Sequence, residues 1–113
     1  MIGIATRAGQ QGNGTMANVH ILAILYSKPG KEEDLRRDLT TICNASSRED
    51  GNIRYELHED ANDQRRFVII EQWNDAAAQE KHHNQSNHIR LFHDNGDRNV
   101  ERREIVCFLK PVA

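Results

Sequence analysis

Between Val19 and Tyr26 the chain reads VHILAILY, a run apolar enough to be buried on both faces, and it stops at Ser27-Lys28-Pro29-Gly30. A turn signal of that kind ends strand pairing, so the run is predicted as the first strand. After the turn, KEEDLRRDLTTICNASS places acids first and then Leu35, Leu39, Ile42 and Cys43 at helical spacing. An amphipathic helix from Lys31 to Ser47, with one face on the core, follows from that pattern. The stretch REDGN breaks it at a glycine, and IRYELHED then alternates, with Ile53, Tyr55 and Leu57 on one side and Arg54, Glu56 and His58 on the other.

A polar turn, Asp60 to Gln64, leads into RRFVIIEQW, a strand apolar on both faces at its centre, and the two strands form a hairpin. Asn74 or Asp75 is placed to cap a short helix over DAAAQEKH, and Ser86 to cap another over NHIRLFHD with Ile89 and Phe92 as its apolar side. Gly96 ends that helix, and ERREIVCFLKP is a last strand stopped by Pro111.

The order β-α-β-β-α(α)-β is the split β-α-β pattern of a ferredoxin-like α+β domain, a four-stranded antiparallel sheet with helices on one face. The other sheet face carries apolar side chains that need a cover. A second copy of the chain, packed sheet to sheet, is the expected one.

Composition narrows the class. The 113 residues suffice for one domain, and 37% hydrophobic against 28% charged leaves a modest core, which also favours a homodimer. The opening residues 1–17, rich in Gly, Gln and small polar residues, lack periodicity, so a flexible leader is expected there and the domain over 18–113. Fifteen basic and 17 acidic side chains mix along the chain for a net charge of -2, which argues against a nucleic-acid partner. No stretch approaches the ~18 apolar residues of a membrane span. Cys43 and Cys107 show no metal-ligand spacing and are expected as small reduced core residues of a cytoplasmic protein.

One stretch remains unexplained by packing alone. FVIIEQWNDAAAQEKHHNQSNH sets Glu71 two residues before Trp73, the only tryptophan, and then supplies His82, His83 and His88. Residues two apart on a strand share a face, so Phe67, Ile69, Glu71 and Trp73 point one way. A carboxylate directed between sheet and helices, among apolar walls, is what a small-molecule pocket contains.

With KPGKEEDLRRDL after the first strand and the glycine-led GNIRYELHED, this stretch resembles the antibiotic biosynthesis monooxygenase domain family over about residues 18–111. That family consists of small dimeric α+β barrels and includes cofactor-free quinol and polyketide oxygenases. Its pattern of apolar strand, E-x-W, short helix, histidine, small hydroxyl residue and second histidine falls on Glu71, Trp73, His83, Ser86 and His88. His82 fits one common spacing from the tryptophan, and His83 fits the H-x-x-S-x-H run.

The resemblance implies direct oxygenation of a small quinol, phenol or aromatic polyketide by molecular oxygen, with no cofactor. A phenolate can pass one electron to oxygen unaided, so the protein needs an apolar enclosure, a base and donors that hold the anion. A histidine, with an ordinary pKa of about 6.5, suits the base. His83 is the candidate, with His82 and His88 as alternates; Trp73 is the wall and Glu71 orients a histidine or a substrate hydroxyl. Tyr55, Leu57, Phe67, Ile69, His88 and Phe92 are the expected substrate-lining residues.

Other readings compete. Trp73 also suits a core filler, Glu71 a capping partner, and the histidines solvated turns. A metal site is not expected, since H-E-x-x-H and C-x-x-C are absent and adjacent His82 and His83 point apart. A haem-degrading branch of the superfamily uses an asparagine inside the first strand, and here Asn18 stands only at its start. A binding or isomerising dimer without oxygen chemistry stays open.

Overall fold

A computed structural model describes residues 18–113. The residues expected as a leader, 1–17, lie outside that range. Strand β1 (Val19–Ser27) leads to helix α1 (Glu32–Ser46), then the hairpin β2 (Asn52–Asp60) and β3 (Asp63–Trp73). Helices α2 (Ala76–Gln85) and α3 (Asn87–Leu91) follow, then one turn of π-helix (Phe92–Gly96), one of 3-10 helix (Asp97–Asn99), and strand β4 (Val100–Leu109). The four strands form one antiparallel sheet in the order β2-β3-β1-β4. This is the expected ferredoxin-like α+β architecture, with the two crossovers β1-α1-β2 and β3-α2/α3-β4 each spanning one intervening strand.

Register decides which side chains meet. Pairing Ile21 with Glu71, Ala23 with Ile69 and Leu25 with Phe67 puts these six on one face, and Tyr55 and Leu57 of β2 join through Glu71 and Ile69. Helix α1 lays Leu35, Leu39, Ile42 and Ser46 against that face, and Trp73 and Phe67 are almost wholly buried between the layers. Burying side chains of this size contributes about 1.5–3 kcal/mol each for the aliphatic and Phe members, which is the main term holding the layers together. The opposite face presents Leu22, Ile24, Val68 and Ile70, all only half-buried, with Ile105 and Cys107 of β4 beside them.

Several local details differ from expectation. Ile53, expected beside Tyr55, is half exposed, because the β2 register shifts between Asn52 and Arg54 and turns it out. The hairpin turn is tighter than the expected polar loop: Asp60 already pairs with Asp63, and Asp60 Oδ1 accepts the Asn62 amide at 2.8 Å. Of the two cysteines only Cys43 packs against the core. Cys43 is half-buried with its Sγ donating to the Tyr55 carbonyl at 3.4 Å, and Cys107 pairs with Leu22 on the open face; both are free thiols. Among the described residues no helix is long and apolar enough to cross a membrane.

Gly51 sets the spacing between α2 and the sheet. Its φ of +85° is open to glycine, and a Cβ built there would stand 2.5 Å from the Ala78 Cβ. The Asn74 amide donates to the Gly51 carbonyl at 2.7 Å, tying the end of β3 to the start of β2. With Asp75 capping α2 through the Ala78 amide at 2.9 Å, the rotational phase of that helix is fixed.

Candidate functional site

That phase chooses between the adjacent histidines. Successive helical residues are ~100° apart around the axis, so only one of the pair can face the sheet. His82 is 5% exposed and turned inward, while His83 lies on the solvent side. The expectation that His83 enters the pocket is therefore corrected: Asp75, not Asn74, starts the helix, and from that start the inward position falls on His82.

His82 is enclosed by aromatic rings. Its ring centroid lies 4.6 Å from that of Trp73 and 5.7 Å from that of Tyr55, and Tyr55 meets Trp73 edge-on at 6.5 Å and 80°. Its Nδ1 lies 2.6 Å from Oε1 of Glu49, a residue in the turn after α1. The same Oε1 is 3.1 Å from Nε2 of His88, and Oε2 accepts from the Ser86 hydroxyl at 2.5 Å. Ser46, fully buried on α1, sets its Oγ 3.1 Å from His88 Nε2.

The protonation pattern follows from these partners. Burial pushes the Glu49 carboxyl up, but hydrogen bonds from Ser86 and His82 outweigh it and hold the group below the usual carboxylate range. An ionised carboxylate only accepts, so the Nδ1 of His82 must donate, and neutral His82 keeps its lone pair on Nε2. Burial lowers the His82 pKa against the opposing pull of Glu49, which favours that neutral form. Ser46 and Glu49 meet the same nitrogen of His88, so the three do not form a relay of the serine-hydrolase kind, which needs both ring nitrogens.

Glu71 lies on the other side of Trp73. Its Oε1 accepts from the indole Nε1 at 2.9 Å, and burial, opposed by that bond, raises its pKa. Its hydrogen-bond partner is thus Trp73 and not a histidine, and the carboxylate beside His82 and His88 is Glu49 instead. Burial, assisted by the Glu71 carboxylate, likewise pushes the Tyr55 hydroxyl far up, so Tyr55 stays protonated.

The other expected lining residues divide in two. Tyr55, Phe67 and Ile69 are core walls with Leu57 packed beside them, whereas His88 and Phe92 border an open cleft of about 220 Å³ between α1 and the α3–π segment. Ile42 and Leu91 add apolar lining, and Asp38 and Asn95 polar lining. A second, polar cleft of about 270 Å³ is lined by Glu49 with Arg48, Asp50, Ala78 and Lys81. Ser86 occupies the N-cap position of α3, as expected, yet makes no cap bond because its hydroxyl is given to Glu49.

Comparison with known proteins gives a consistent picture. Residues 18–95 match the sequence profile of the family described as antibiotic biosynthesis monooxygenase. The Bacillus subtilis (strain 168) protein YcnE, whose name assigns it provisionally to the monooxygenases, is 34% identical over 70 residues, 62% of this chain and 73% of that protein. The crystal structure of PA3566 from Pseudomonas aeruginosa superposes with a TM-score of 0.82 at 30% identity, covering 89% of this chain and 100% of that one. SO0527 from Shewanella oneidensis gives a TM-score of 0.75 at 29% identity over 81% of this chain and 88% of its own.

Proposed function

The chain belongs to the antibiotic biosynthesis monooxygenase family, and from that premise we propose that it oxidises a small phenol or quinol with molecular oxygen, using no cofactor. One observation carries this reading: a buried, neutral histidine whose Nδ1 is held by an ionised glutamate, leaving Nε2 as a base against an aromatic wall.

In the proposed reaction His82 takes the phenolic proton through Nε2, and Glu49 stabilises the imidazolium that forms. The phenolate passes one electron to oxygen. Superoxide and the phenoxyl radical then combine at a ring carbon that bears hydrogen, the His82 imidazolium returns its proton to the peroxide, and loss of water from the hydroperoxide leaves the quinone. Each turnover consumes one oxygen molecule and releases one water, so no external reductant is required.

The cleft at His88 is smaller than the ~300–1,000 Å³ of drug-sized sites, which favours substrates of one or two rings. Helix α3 buries none of its five side chains, so it is the element whose displacement would carry a ligand from the cleft to His82. We also place a homodimer contact on the open sheet face, where Leu22, Ile24, Val68 and Ile70 form an apolar strip. Arg66, Arg102 and Glu104 cluster around Tyr26 at its end. Two free thiols suit a reducing compartment such as the cytoplasm.

The test is oxygen consumption by chelator-treated protein on a panel of hydroquinones and hydroxylated naphthalenes, corrected for autoxidation. Catalysed uptake that survives the chelator supports the reading. Absence of uptake with every substrate, in a folded protein that some panel member nonetheless stabilises thermally, would replace it with a binding or isomerising role. Light scattering of Ile70→Asp against the parent chain tests the dimer, with a halved mass expected.

A further inference from the structure

We propose that Glu49, His82 and His88 form a site for a divalent transition-metal ion, Zn2+ above all, and that its occupation silences the base. The donor atoms come from three elements: the turn after α1, the inward face of α2 and the first turn of α3. They lie within 4.8 Å of one another. Around an ion with bonds of ~2.0–2.1 Å, neighbouring ligands stand roughly 2.9–3.4 Å apart. The contacts of 2.6 Å from Glu49 to His82 and 3.1 Å from Glu49 to His88 lie near that range, and the two imidazole nitrogens, within 4.8 Å of each other, would have to settle into it as well.

The donor set fits the ion. Two imidazoles and a carboxylate suit zinc and its neighbours, and are poor for Mg2+ or Ca2+, which prefer oxygen alone. The carboxylate is already steadied from outside by Ser86 at Oε2, the arrangement that holds a ligand in a fixed direction. The buried Ser46 hydroxyl beside His88 Nε2 is placed to bond a water on the ion. Both clefts reach the cluster, one at Glu49 and the other at His88, so an ion has a path in.

Metal binding and catalysis compete for the same imidazole. The nitrogens that would bind the ion, Nδ1 of His82 and Nε2 of His88, are the ones that now donate to Glu49. On binding, each proton moves to the other nitrogen of its ring, with no net release from neutral rings. His82 Nε2 then carries hydrogen and has no lone pair for a phenolic proton.

The silencing rests on the proposed oxygenase reading; the binding does not. The experiment therefore measures binding directly, by calorimetry with Zn2+ on the metal-stripped full chain, and by the visible spectrum with Co2+. One ion per chain is expected, with the absorption of four- or five-coordinate cobalt and no thiolate band, because neither cysteine belongs to the cluster. Residues 1–17 carry no His, Cys, Asp or Glu to compete.

Glu49→Gln and His88→Ala should each weaken Zn2+ binding by about a hundredfold, at the upper end of what even a lost outer partner costs. His83→Ala, one residue from His82 but facing solvent, should not change it. His88→Gln replaces His88→Ala if circular dichroism finds the latter unfolded. No binding to the parent chain, binding unchanged in both ligand variants, or loss in His83→Ala would overturn the site. Oxygen uptake should fall in step with occupancy. Full uptake in the zinc-loaded protein would overturn the silencing, whereas no uptake in the stripped protein would count against the oxygenase reading and leave the site standing.

Discussion

Two carboxylates on the helix-facing side of the sheet, Glu49 and Glu71, sit around the same aromatic cluster and titrate in opposite directions. Glu71 receives one donor, the Trp73 indole, which does not offset its burial, and its pKa rises. Glu49 is approached by Ser86, His82 and His88, and its pKa falls. Both are at least partly removed from water, so the number and charge of the donors decide which way each pKa moves. Their partners separate their work: Glu49 faces the histidines and can hold an imidazolium, whereas Glu71 is bound to the Trp73 indole.

The largest effect is expected from the base itself. His82→Ala should lower oxygen uptake by about a hundredfold or more, in line with the usual contribution of a positioned base. His83→Ala should match the parent chain in the same assay, and equal losses in the two variants would dissolve the distinction drawn between them. Glu49→Gln should follow, with kcat reduced by about tenfold or more and KM little changed, because the imidazolium loses its counter-charge while the cleft stays intact.

Stability separates the pair more finely. Trp73→Phe removes the donor of Glu71 within the core and should cost about 1–3 kcal/mol in urea unfolding, from the unpartnered carboxylate alone. Glu71→Gln should do the reverse. Its amide oxygen still accepts from Trp73, while the charge that burial disfavours is gone.

The sign follows from proton linkage. A carboxyl whose pKa is raised in the folded state binds more protons there, so stability falls as pH rises from the ordinary carboxylate value toward the raised one. Glu71→Gln should therefore raise Tm relative to the parent at about pH 8 and leave it nearly unchanged at about pH 4. An equal gain at both would mean that the charge of Glu71 is not what the fold pays for. Glu49, with its lowered pKa, works the other way: its stabilisation is present above the ordinary carboxylate value and is lost as pH falls through the lowered one.

The fold was largely legible because its signals are local. Alternation in β2, the double-faced apolar runs of β1 and β3, and the spacing of Leu35, Leu39 and Ile42 each name an element within a few residues. The site was legible only in part. Glu71 and Trp73 share a face by strand alternation alone, but choosing between His82 and His83 needs the start of α2 to a single residue, where sequence signals are weakest. Glu49 was missed entirely. It sits in REDGN, which reads as a helix stop, and its partners lie 33 to 39 residues away in sequence. The one hint was the density of donors in this stretch, where His82, Ser86 and His88 converge with no carboxylate among them.

Gly51 gives the cluster its most exposed point of failure, and it does so without chemistry of its own. Any side chain there would have to displace α2 by roughly an ångström to restore normal contact with Ala78, and would strain the backbone as well. His82 travels with that helix and Glu49 does not. A neutral-looking methyl group at a residue that binds nothing would thus draw the imidazole away from its carboxylate, so an inherited change can reach the site through a position that has no side chain to lose.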